Sequence, residues 1–197
     1  MERIPTIGPE ELATLPRPFS FPALSVSPVP FSEDVLAAHA ETHLLILTPK
    51  APEITINWFR EQFGVDPTNE PCMYNQDWYL KEDFASKASL DGTWHLIRKS
   101  VLEETRAKAP AEIVASLVGE RFPSALTLTF TFFAWYLLRG EALWRHDFLW
   151  TADTDHNGDH IYVGRYEDPT GVNKKGFNIH RHLSLRSAYS AAPEVIG

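Results

Sequence analysis

The sequence predicts an α+β domain in which a largely antiparallel sheet packs against a central hydrophobic helix, preceded by an extended proline-rich arm. Three observations carry that reading. Seven of the 15 prolines (Pro5, Pro9, Pro16, Pro18, Pro22, Pro28, Pro30) fall in the first 30 residues, and each fixes φ and removes a ladder donor. The run SALTLTFTFFAWYLL, from Ser124 to Leu138, is apolar nearly all round, as a helix through the middle of a fold must be. From Asp147 onward, short alternating segments are broken by NG, DPTG and NKKG turns, the pattern of hairpins.

The arm, residues 1–31, interleaves its prolines with Phe19, Phe21, Leu24, Val26, Val29 and Phe31, which give it something to bury against the body. Residues 32–197 read as a single domain. SEDVLAAHAE is a short helix capped by Ser32, with Glu33 and Asp34 at its positive end. HLLILTP is a buried strand that ends at Pro49, and TINWFREQFG is a second short helix between Thr55 and Gly64. DPTNEPCMYNQ is a loop; DWYL and TWHLIRKS read as strands, with Asp91-Gly92 as a turn before the second. Pro110 suits the first turn of PAEIVASLVGERF, where Ile113, Leu117 and Val118 recur at helical spacing. Pro123 opens the hydrophobic helix and Gly140 closes it.

Composition narrows the function classes. A chain of 197 residues, 44% apolar and 22% charged, can bury a core without staples. Cys72 is alone, so no internal disulfide forms, and a reducing cytoplasm is the expected compartment. No basic neighbour in EPCMYNQDW activates its thiol. The N-terminus lacks a secretory leader, and the longest apolar run, about 15 residues, falls short of the roughly 20 that span a bilayer. A formal charge of −8 argues against nucleic acid as a partner. The glycines form no phosphate-cradling loop, and no serine sits in a nucleophile elbow.

Chemistry concentrates in LWTADTDHNGDHIYVGRY, Leu149 to Tyr166. Asp153, Asp155, Asn157, Gly158 and Asp159 occupy positions one, three, five, six and seven of a calcium-type loop, but position twelve, where a bidentate Glu belongs, is Gly164. The favoured alternative is a hairpin turning at Asn157-Gly158 through a two-residue type I′ loop. That register sets Asp155 opposite His160 and Trp150 opposite Arg165, and collects Phe148, Trp150, Ala152, Ile161 and Val163 on one face. The other face then carries Leu149, Thr151, Asp153, Asp155, His160, Tyr162 and Tyr166. In GFNIHRHLSL, Asn178, His180, His182 and Ser184 likewise share a face.

Three accounts of this polar face stand side by side. It solvates an exposed sheet and binds a partner or small ligand. Or His160, His180 and His182, with Asp153 and Asp155, hold a divalent metal ion as the cofactor of a hydrolase. Or Lys174, Lys175, Arg181 and Arg186 form an anion pocket beside it. The leading expectation is a binding or interaction protein that uses the His/Asp strand face and the adjacent basic turn. The arm offers a further surface for a protein partner or a second copy in a homo-oligomer.

Overall fold

Caps set the helix boundaries in the computed structural model, which describes residues 3–21, 27–167, 175–181 and 185–197, with the backbone alone at 166 and 167. β1 (Thr6–Ile7) leads into α1 (Pro9–Ala13), so the first 31 residues are not uniformly extended: Glu11 bonds back to the Gly8 amide and Pro9 takes the first helical turn. Ser32 caps α2 (Glu33–His39) by accepting from the Val35 amide. After β2 (His43–Leu47) and β3 (Lys50–Ala51), Thr55 caps α3 (Ile56–Phe63), and Gly64 ends it at φ +66°.

DWYL is not a strand. Its residues form a turn running into α4 (Asp83–Ser86): Leu80 N–H bonds the Asp77 carbonyl, Glu82 N–H bonds the Tyr79 carbonyl and Asn57 donates to the Leu80 carbonyl, which satisfies backbone groups without a ladder, while the Trp78 indole anchors the turn on the Ile179 carbonyl. β4 (Leu90–Asp91) and β5 (Trp94–Arg98) follow, then α5 (Pro110–Ser116), β6 (Glu120–Arg121) and α6 (Ala125–Arg139). α5 stops before Val118, which is 91% exposed instead of buried. Ser124 caps α6 and Gly140 closes it at φ +72°. β7 (Phe148–Thr154), β8 (His160–Glu167), β9 (Lys175–Arg181), β10 (Tyr189–Ser190) and β11 (Glu194–Val195) complete the chain.

The fold is mixed α+β, and the described residues form three sheets instead of one. The first runs β1-β2-β5-β11-β6, the second β10-β7-β8-β9, and β3 pairs only with β4. β1-β2 and β10-β7 are parallel; the other pairs are antiparallel. One core draws on both larger sheets: Leu44, Ile46 and Ile97 from the first, Leu149, Ile161, Val163, Phe177 and Ile179 from the second. α6 joins them, buried at every residue from Ala125 to Trp135. From the segment before residue 32, Ile7, Leu12, Leu15 and Phe19 enter the same core. No helix among the described residues is long and apolar enough to cross a membrane.

β11 is short but central. Buried Glu194 bridges His95 Nδ1 at 2.6 Å and Arg121 Nε at 2.7 Å, tying the C-terminal segment to β5 and β6. The other nitrogen of His95 faces the Thr93 hydroxyl at 3.2 Å and the Asp91 carboxylate at 3.8 Å.

Candidate functional site

The hairpin joining β7 to β8 turns on a side chain. Asp155 Oδ1 accepts from the amides of Asn157 (2.8 Å) and Asp159 (3.0 Å), while the backbone closes Asp155 N–H on Asp159 O and Gly158 N–H on Asp155 O, each at 2.9 Å. A type I′ loop needs positive φ at both central residues, and only Gly158 has it, at +86°. Asx-type capping by Asp155 therefore replaces the expected two-residue loop.

The register moves with it. Thr154 pairs with His160, Trp150 with Tyr162 and Leu149 with Val163, so Thr151, Ala152 and Asp153 together oppose Ile161. The one-residue change at the turn turns β7 over relative to β8, and the two extra residues of the bulge preserve that inversion. Leu149 joins Ile161 and Val163 in the main core, whereas Trp150, Tyr162 and Tyr189 form a second cluster under Ile113 and Phe122. Among the described residues, both faces of the hairpin's body are thus covered, Tyr162 of the expected polar face included.

The bulge also directs β7 onto the start of α6. Ala152 donates to the Pro123 carbonyl at 3.0 Å, and Asp153 Oδ2 accepts from the Ala125 amide at 2.6 Å, at the positive end of a 15-residue helix. Burial raises the Asp153 carboxyl above its ordinary range, partly opposed by that amide. His160 Nδ1 contacts the Thr151 carbonyl at 3.1 Å, with its ring edge-on to Phe122. His180 stacks on Tyr162 with centroids 5.3 Å apart and 5° between the planes, its Nδ1 against the Arg181 carbonyl.

These positions bear on the metal reading. Asp153 faces α6, Asp155 faces its own turn, and His182 lies outside the described residues. Among the described residues no three His, Cys, Asp or Glu side chains are placed to hold a metal ion. At Gly164 a Cβ would stand 2.2 Å from the Asp147 carbonyl oxygen, so the closing Glu of a calcium loop has no room. Cys72 is buried, and that burial, with Glu70 and Asp66 adding to it, pushes its thiol up to about 11.

Among the described residues, the expected basic positions are spread out. Lys175 and Arg181 stand at opposite ends of β9, about 20 Å apart for a seven-residue strand. Lys174 lies outside the described residues, and Arg186 follows the strand in a turn where its carbonyl accepts from the Tyr189 amide.

Arg181 has a different neighbourhood. Its Nη1 donates to Asp155 Oδ2 at 2.7 Å, and its guanidinium lies 4.8 Å over the Trp78 ring. Burial disfavours charge on Asp155, but the hydrogen bonds from Arg181, Asp159 and Asn157 outweigh it and hold the carboxyl below its usual range. A second tether crosses beside it: Glu82, the N-cap residue of α4, accepts from the His156 amide at 2.9 Å and meets His156 Nδ1 at 2.6 Å. Between the tethered walls lies a cleft of about 650 Å³, with Trp78, Lys81, Glu82 and Asp83 on one side and Thr154 to His156 on the other.

The turn is legible in the sequence, and the opposing wall is not. Trp78, Lys81, Glu82 and Asp83 come from DWYLKED, whose aromatic start resembles a strand; its signal was the sudden change from aromatic to charged residues. Compared with protein-family models, curated proteins and solved structures, the chain matches none.

Proposed function

We propose that this chain is a binding protein whose ligand occupies the cleft between the tip of the β7–β8 hairpin and the Trp78–Asp83 segment. The observation that carries the reading is the cleft itself: about 650 Å³, with a half-buried indole in its wall, His156 held by Glu82, and the Arg181–Asp155 pair at its edge. The lining sets one aromatic face, Trp78, among six polar or charged residues, so fixed polar contacts would orient a ligand held against the indole. Fixing those groups beforehand lowers the ordering cost of association. The working surface is therefore the hairpin tip and its tethers, not the strand face behind it.

Saturation-transfer NMR with a mixture of small aromatic and aliphatic fragments tests this. Hits are expected with the native chain and are expected to disappear in Trp78→Ala. Hits that persist unchanged in folded Trp78→Ala would overturn the assignment of the cleft.

A further inference from the structure

The two tethers are built asymmetrically. The carboxylates are largely hidden, Asp155 at 0% and Glu82 at 11% side-chain exposure, while the nitrogen-bearing partners they hold are open, Arg181 at 40% and His156 at 63%. Each shielded acid thus fixes a nitrogen-bearing side chain in or beside the cleft and leaves its other nitrogens facing solvent. Arg181 uses Nη1 on Asp155, and His156 uses Nδ1 on Glu82. Of these two, His156 lines the cleft and offers Nε2 to it, while the Arg181 guanidinium lies beside the lining, against Trp78 and Asp155. Lys81 adds an exposed ammonium to the same wall, and Thr154 an exposed hydroxyl. The exposed acid of the lining, Asp83, is bridged at 2.8 Å to Lys87.

Resting on the proposed binding role, we propose that the ligand of this cleft carries an oxyanion, a carboxylate or a phosphate monoester, on an apolar body that packs against Trp78. Lys81 and His156 would bind the anion from the lining of the cleft, with the Arg181 guanidinium adding positive charge beside it. Asp155 and Glu82 act as positioning residues, because neither presents its carboxylate to the ligand. Arg181 over the indole contributes charge and shape together, since a guanidinium stacked on an aromatic ring keeps its edge N–H groups free for an acceptor.

The test is a titration of the full chain followed in two-dimensional amide and indole NMR spectra, with phenyl phosphate, benzoate, inorganic phosphate and benzylamine as probes, at low and high salt. Phenyl phosphate or benzoate is expected to shift the Trp78 indole and the amides of residues 154–156 in a saturable way, and the tighter of the two identifies the source of the oxyanion. Lys81→Gln, at an exposed position where folding is not at stake, is expected to weaken binding about fivefold, as is high salt. Tighter binding of benzylamine, or an unchanged affinity in Lys81→Gln, overturns the oxyanion assignment while the cleft remains a binding site. Inorganic phosphate binding as tightly as phenyl phosphate overturns the role given to Trp78. If no probe shifts these resonances, the oxyanion proposal and the binding role both fall.

Discussion

Replacing Asp155 by alanine separates a turn-building carboxylate from a metal-binding one. The side chain accepts two backbone amides and one guanidinium N–H, at 2.8, 3.0 and 2.7 Å. A charge-assisted bond contributes about 1.5–3 kcal/mol and an ordinary one about 1 kcal/mol. The freed amides of Asn157 and Asp159 belong to exposed residues and are rehydrated, and half-exposed Arg181 recovers part of its solvation. The net loss for Asp155→Ala is then about 3 kcal/mol, or roughly 6–12 °C in Tm for a chain of this size. Asp155→Asn keeps an oxygen for the two amides and loses the ionic bond, so about 1 kcal/mol is expected. Urea unfolding of the three proteins, without and with added divalent ions, is the assay. A loss below about 0.5 kcal/mol in Asp155→Ala would refute the turn-building role. So would a divalent ion that stabilises the native chain saturably but not the variant, since that result would make the carboxylate a ligand.

Three further outcomes follow from the same geometry. Asp153→Ala is expected to destabilise by about 1–2 kcal/mol through loss of its bond at the α6 N-terminus, with Asp153→Asn recovering most of it in thermal unfolding. Gly158→Ala, at φ +86° with no atom within 4 Å of the new Cβ, isolates backbone strain and is expected to cost about 1 kcal/mol. Stability against pH has two opposing histidine terms. Burial lowers His95, but hydrogen bonds to Asp91 and Glu194 outweigh it and raise the imidazole to about 9, so its contribution is full below 6.5 and is lost as pH rises through 9. Burial, with His39, Arg98 and Lys99 nearby, lowers His43 to about 3, so its contribution is present above 6.5 and is lost as pH falls toward 3. Each is on the order of 3–5 kcal/mol, and His95→Gln is expected to flatten only the alkaline limb of a denaturation series.

Elements whose signals are local were legible in the sequence. Ser32 and Thr55 cap the helices assigned to them, Gly64 and Gly140 end theirs, and HLLIL is a fully buried strand. What failed depended on distant partners. The hairpin register was read from alternation and an Asn-Gly pair, yet Asp155 captures the turn and the bulge at Thr151–Asp153 follows contacts to Pro123 and Ala125, some 30 residues earlier. Alternation does not reveal such a shift, because two extra residues in one strand leave the pattern intact while moving every later pair. The second cover, Ile113 and Phe122 over Trp150 and Tyr162, is likewise tertiary. Of the candidate site, Asp155 and Arg181 were singled out for a metal and an anion respectively, and the structure brings these two together as an ion pair.

The central claim is that the hairpin-tip cleft is where this chain binds its ligand, and a crystal structure grown with phenyl phosphate tests it most directly. The account predicts the ring against Trp78 and phosphoryl oxygens within about 3 Å of Lys81 Nζ and His156 Nε2. A fully occupied phenyl phosphate bound elsewhere, with this cleft empty, would contradict it.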